Sequence, residues 1–297
     1  MRVAQHAVLL CGFAATTLGL GYMAAGGAPL SYLLMNGAAF AIGVVIVVIL
    51  SQRSWRVSAG AVCLGLAVVL LTSFLLGTTV NGATRWLRFG NIIIQPSLIL
   101  LPVLVLTFAT ARNWTGAIGV TLTAIVLALQ PDRAMSGGLA AGALILAFMR
   151  PDPRTLSAAA AALTGFATAM LRPDTQGAMP FVDGILLTSF DVHPAAGVAV
   201  ISGSLISLMP AVIGLRKAPP TALGHAVFGA VWAALVIAAA LGNYPTPLVG
   251  YGGSAILGYL LCSIALRSQA SALRFGRDSA ATQERLEERR EHSMEPV

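Results

Sequence analysis

The chain has 297 residues, of which 57% are hydrophobic and only 10% are charged. Soluble domains carry about 25% charged residues, so this composition excludes a globular enzyme built on one core and indicates a polytopic membrane protein. The formal net charge of +7 fits cationic loops between spans rather than nucleic-acid binding, because no basic stripe is interleaved with aromatics.

A membrane span needs about 20 apolar residues. Ten candidate segments are predicted, over residues 7–26, 30–51, 57–77, 94–111, 114–130, 134–149, 155–171, 193–215, 222–242 and 248–267. The expected fold class is therefore all-α, a polytopic integral membrane helical bundle of about ten transmembrane helices. The first segment follows Met1-Arg2 and resembles a signal peptide, but the later segments are equally long, so a retained first helix is expected. The fourth to seventh segments are short and rich in Ala and Gly; Gly138-x-x-x-Gly142 is a packing device of that kind.

Charge gives the orientation. With the N-terminus in the cytoplasm, fourteen of the eighteen cations fall on the inside, leaving Arg85, Arg88, Arg133 and Arg172 outside. Both termini are then cytoplasmic, and the expected location is a bacterial plasma membrane. Residues 268–297 differ in character: Arg285, Glu287, Glu288, Arg289, Arg290 and Glu291 crowd a solvated tail, separate from a transmembrane domain over 1–267. Cys11, Cys63 and Cys262 lie in apolar runs and the four histidines are scattered, so no disulfide frame or metal site is predicted. No cofactor is predicted either, and a divalent cation is left open. P-loop, GxSxG and HExxH motifs are absent.

Polar residues between spans are costly to place and so carry the functional signal. After the third span, Asn81-Gly82 marks a tight turn. The following Arg85, Trp86, Arg88 and Phe89 suit a bilayer surface, either as interfacial anchors or with an arginine fork gripping a lipid pyrophosphate. Gln95-Pro96-Ser97 opens the fourth span, with the polar pair facing a cavity, and Leu129-Gln130-Pro131-Asp132 closes the fifth. Before the eighth span, Asp183 is flanked by apolar residues. Partial burial suits such a carboxylate to general-base work, the alternative being an ordinary loop acid. Asp191 precedes His193-Pro194, where an N-cap is the simpler role. Finally, prolines and glycines run from Tyr244-Pro245-Thr246-Pro247 to Tyr251-Gly252-Gly253-Ser254. They predict non-helical backbone at membrane depth, tolerated where it is buried in protein or lines a cavity.

Taken together these residues resemble the SEDS family (RodA, FtsW and SpoVE proteins of shape, elongation, division and sporulation). Asn81-Gly82-Ala83-x-Arg85-Trp86-Leu87 with Gln95-Pro96-Ser97, then Leu129-Gln130-Pro131-Asp132, then Pro247-x-x-x-Tyr251-Gly252-Gly253-Ser254 are similar, in order, to three of its motifs. The resemblance covers about residues 1–268 and implies a peptidoglycan glycosyltransferase. Such an enzyme polymerises lipid II at the outer membrane face beside a class B penicillin-binding protein. It also implies Asp183 as the base for an attacking sugar hydroxyl. Substrate-binding residues implied with it are Arg85, Trp86, Arg88, Gln95, Ser97, Asp132, Asp191, Tyr251 and Ser254, and the implied partners are membrane lipids and a membrane protein. The sequence departs from the family at Leu98 and Leu101, where a glutamate and a lysine are usual, and in the shortness of the loop before Asp183. A divergent polymerase, a non-catalytic scaffold of the same fold and a lipid-linked substrate translocator are therefore the competing functions.

Overall fold

The computed structural model describes residues 2–52, 57–90, 92–173, 176–216 and 219–268, with side chains described from residue 5 and, after the gap at 217–218, from residue 222. Its helices are α1 (Arg2–Ala25), α2 (Leu30–Ser51), α3 (Ala59–Leu76), α4 (Pro96–Ala111), α5 (Trp114–Leu129), α6 (Arg133–Met149), α7 (Pro153–Leu171), α8 (Ile185–Val192), α9 (Pro194–Leu215) and α10 (Pro219–Leu241), with α11 over Gly253–Ser268. The ten predicted spans correspond to α1–α7 and α9–α11, so the all-α membrane bundle stands. α1, α2, α3, α9 and α10 are individually long and apolar enough to cross a membrane, whereas α4, α5, α6 and α11 are apolar but shorter. The predicted tail lies, from residue 269, outside the described residues.

Local chemistry sets the helix starts. Asn113, Asp132 and Asp152 accept hydrogen bonds from the first-turn amides of α5, α6 and α7, and Pro96, Pro153 and Pro194 occupy first-turn positions where no amide is needed. α1 packs on α9, α3 on α5, α5 and α6 on α7, and α10 on α6 and α9. α4 is enclosed by α3, α5, α6 and α10, and Leu101, Leu104, Val105 and Phe108 on it are fully buried. Glycines set two close approaches: a Cβ on Gly142 of α6 would stand 2.8 Å from both Val105 and Val231, and one on Gly258 of α11 would stand 2.0 Å from the Leu98 carbonyl. The Gly138-x-x-x-Gly142 pair is thus spent inside the bundle. α2 turns Leu34, Ile42, Val45, Val48 and Ile49 outward, an apolar face suited to lipid.

One element departs from the all-α expectation. Between α3 and α4 the chain forms a small antiparallel sheet in the order β1-β2-β3, with β1 Thr78–Val80, β2 Ala83–Phe89 and β3 Ile92–Ile94. Asn81 and Gly82 both have positive φ (48° and 78°), the geometry of a two-residue hairpin turn whose twist matches its strands. The β-branched residues at 78–80 and 92–94 favour extended backbone. Ile92–Ile94, read from sequence partly as the start of a span, is instead the third strand.

Candidate active site

The sheet stands at one end of the bundle, and beneath it lies a hollow of about 250 Å³. Arg85, Trp86, Arg88, Gln95, Asp132 and Asp183 all line it, and with Leu235 and Asn243–Pro245 five stretches of chain far apart in sequence converge there. A smaller hollow of about 120 Å³ adjoins it, sharing Trp86, Gln95, Leu98 and Val182 and adding Tyr251 and Ser254. Ser97 lines neither hollow; it is buried behind Asp132, to which its hydroxyl donates. Asp191 does not join them. On α8 the inward residues are Ile185, Leu186 and Ser189, and Asp191, two residues past Ser189, is turned to the exposed side. Nor is it a cap, because His193 caps α9, its Nδ1 accepting from the Ala195 amide at 3.1 Å.

Among the described residues Asp132 is the most enclosed acid, 1% exposed. Its carboxylate caps α6 by accepting from the Met135 amide (3.2 Å), and its other oxygen accepts from Gln95 Nε2 (3.0 Å) and the Ser97 hydroxyl (3.4 Å). Burial pushes this carboxyl above its ordinary value, although Arg85 and the three donors pull the other way. Arg85, 5% exposed, donates through Nε to the Gln130 carbonyl at 3.4 Å and through Nη2 to the Pro131 carbonyl. It is therefore a clamp on the end of α5 rather than a bilayer anchor, and its guanidinium carbon lies 5.9 Å from the centre of the Trp86 ring. Arg88 is the exposed cation on the wall of the hollow.

Asp183 is half-buried in the turn before α8. One carboxylate oxygen accepts from the Met179 amide at 2.9 Å. The segment is strained: Phe181 has φ 63°, unfavourable for a residue with a Cβ by about 1–2 kcal/mol. Its ring is held by Tyr22 and Tyr32, with centroids 5.8 and 6.5 Å away. Backbone bonds splice this turn to the α10–α11 loop: Thr246 N donates to Val182 O (3.0 Å), Tyr251 N to Phe181 O (2.6 Å), and Asp183 bridges to Pro245. Tyr251 stacks on Tyr32 at 3.7 Å and 8°, and Ser254 accepts from the Gln95 amide at 3.0 Å.

Two participants, Asn36 and Gln176, had no signal in the sequence reading, and a third, Leu98, stood out there only as a departure from the family. Asn36 of α2, fully buried, bonds both Gly250 and Gly252. Gln176 donates to Val80 O and accepts from Asn243, tying sheet and loops together. Leu98 is an apolar wall residue common to both hollows. A third cavity, a side groove of about 620 Å³ between α6, α7 and α10, shares Ala134, Gln176, Asn243 and Tyr244 with the main hollow. Its walls include Leu144, Leu163, Met170 and Ile237, all exposed to the bundle's surroundings. Among the described residues no three His, Cys, Asp or Glu side chains are grouped as metal ligands would be.

A family model described as a cell cycle protein, for FtsW, RodA and SpoVE, matches residues 22–175. Two curated relatives are each called probable peptidoglycan glycosyltransferase FtsW. That of Caulobacter vibrioides is 32% identical over 94 residues, 28% of this chain and 24% of the relative. That of a Synechocystis species is 41% identical over 83 residues, 23% of this chain and 21% of the relative. The chain thus matches less than a quarter of the length of either. Among solved structures, the rod shape determining protein RodA of Thermus thermophilus is similar with a TM-score of 0.60 at 19% identity, over 89% of this chain and 95% of that one. A chain from a peptidoglycan synthase complex, studied for the coordination of polymerisation and crosslinking, is similar at 0.60 and 19%, over 89% and 97%. At such identities the likeness is one of fold.

Proposed function

Since the chain belongs to the FtsW, RodA and SpoVE family of cell cycle proteins, we propose that it serves cell-wall synthesis as a multi-pass membrane protein that elongates glycan from lipid II. The observation that carries this reading is the hollow itself, with two carboxylates and two arginines at one end of an apolar bundle and a lipid-facing groove running into its side. A substrate with a sugar-pyrophosphate head and an isoprenoid tail matches that pairing. In this reading the hairpin end is the extracytoplasmic one and both termini are cytoplasmic, because with the N-terminus inside fourteen of the eighteen cations in the sequence fall in cytoplasmic segments.

In this reading Asp183 takes the proton of the attacking sugar hydroxyl as that oxygen bonds to the donor's anomeric carbon, and the bond to pyrophosphate breaks with its electron pair. Arg88 faces the leaving phosphates, and Arg85, held by carbonyls, keeps the Asp132 turn in place. Trp86 and Tyr251 offer ring faces to the sugars, and a class B penicillin-binding protein is the expected membrane partner.

Purified protein, alone and with such a partner, is expected to make glycan from lipid II, and Asp183→Asn to lose the activity by about 100-fold or more. No glycan from either preparation, or full activity in Asp183→Asn, overturns the assignment. The second reading, a scaffold of the same fold, is favoured by Leu98, an apolar wall where the family carries a glutamate. It requires Asp183→Ala to be silent in cells.

A further inference from the structure

The Gly250–Gly252 turn between α10 and α11 is not helical, and Gly250 is buried, so its peptide groups need partners that a helix does not supply. Asn36 supplies two. It sits on α2, six residues in from Leu30, and is fully buried. Its Nδ2 donates to Gly250 O at 2.9 Å, and its Oδ1 accepts from Gly252 N at 3.0 Å. A carbonyl demands a donor and an amide demands an acceptor, so the orientation of the Asn36 amide is fixed by chemistry. Neither a carboxylate nor an aliphatic side chain can make both bonds.

What the turn holds makes this more than a packing contact. Between the two clamped glycines is Tyr251, whose amide donates to Phe181 O at 2.6 Å. Phe181 is the strained residue two positions before Asp183. The same loop donates from Thr246 N to Val182 O and bridges Pro245 to Asp183. The path from Asn36 to the carboxylate is thus a run of backbone hydrogen bonds. Asn36 itself does not line the hollow; its neighbour Met35 reaches the smaller one.

We infer that Asn36 is a positioning residue, which sets the Asp183 carboxylate by clamping the glycine turn that braces the Phe181–Asp183 segment. The role of Asp183 rests on the polymerase reading above; the mechanical coupling does not.

The test compares wild type with Asn36→Leu, which loses both bonds, and Asn36→Asp, which keeps the acceptor and, once ionised at alkaline pH, loses the donor. Ser207→Ala, a buried hydroxyl change in α9 remote from the hollow, serves as the control. The first measurement is amide exchange of the full protein in lipid nanodiscs. Both Asn36 variants are expected to speed exchange about tenfold at 244–252 and at 179–183, leaving α5 and α6 unchanged, while Ser207→Ala alters neither loop. Faster exchange confined to 250–252, or spread evenly over the bundle, overturns the proposal.

The second measurement is lipid II polymerisation per folded molecule. A fall in kcat of about tenfold with KM unchanged is expected for both Asn36 variants, and an unchanged kcat overturns the role in positioning. If the wild type makes no glycan, the polymerase reading fails alone, and the exchange result still decides the coupling. If Asn36→Leu does not fold, Asn36→Asp carries both measurements.

Discussion

Arg85, Asp132 and Asp183 share one hollow but stand in different states. Arg85 is occupied by carbonyls, so its removal leaves buried acceptors unpaired, at a cost of about 1–3 kcal/mol each. Arg85→Met is therefore expected to lower unfolding stability by that order or more, measured by thermal unfolding in detergent, whereas Arg88→Met, on an exposed side chain, is expected to leave it within about 0.5 kcal/mol. Asp132 titrates with the opposite sign to a salt-bridged acid. Its folded pKa is raised, so the folded state holds its proton more tightly than the unfolded chain does. Wild-type stability then falls as pH rises from the ordinary carboxylate value through the raised one. Asp132→Asn, which keeps a capping oxygen, is expected to flatten that fall, so that its stability relative to wild type improves with pH; melting curves from pH 4 to pH 8 read this directly. Most of these residues were legible because each belongs to a run of polar residues in an apolar chain. Asn36 was not, because one amide inside Leu30–Ser51 has no spacing to mark it and its partners lie 214 and 216 residues away. Asp191 was misplaced because counting along a chain ignores the rotation of α8.

Among the elements, the helices followed from apolar length and caps, while the sheet did not. Its strands are three to seven residues long, too short for alternation to stand out, and the isoleucines of β3 run straight into α4. The close contact of α11 with α4 was equally hidden, since Gly258 looks like any other small residue in a span. A Cβ there meets backbone, which cannot rotate aside. Gly258→Ala is expected to destabilise by about 1–3 kcal/mol and to loosen the Ser254–Gln95 bond. Gly65→Ala on α3, with nothing within 4 Å, is expected to be neutral or to stabilise by about 0.5–1 kcal/mol. Paired melting experiments on the two variants separate contact from helix propensity.

Across the whole molecule the two ends differ. The hairpin end is cross-braced by the sheet, the spliced loops and the hollow they enclose, whereas among the described residues Arg112, Arg150, Arg154, Arg216 and Arg267 lie at the opposite helix ends. The orientation drawn from charge expects Ala178→Cys, exposed at the hairpin end, to react with a membrane-impermeant maleimide in intact cells, and Gln52→Cys, exposed at the opposite end, to react only after permeabilisation. The reverse pattern inverts the assignment of the two ends and removes the hollow from the compartment where wall precursors are joined.

The side groove between α6, α7 and α10 carries a consequence for how such a protein is assayed. A ligand entering sideways is met in two dimensions, so occupancy follows its mole fraction among surrounding amphiphiles and not its molarity in the tube. Under the polymerase reading, doubling the detergent at constant lipid II is expected to weaken apparent saturation about twofold, a surface-dilution effect that leaves the maximal rate unchanged.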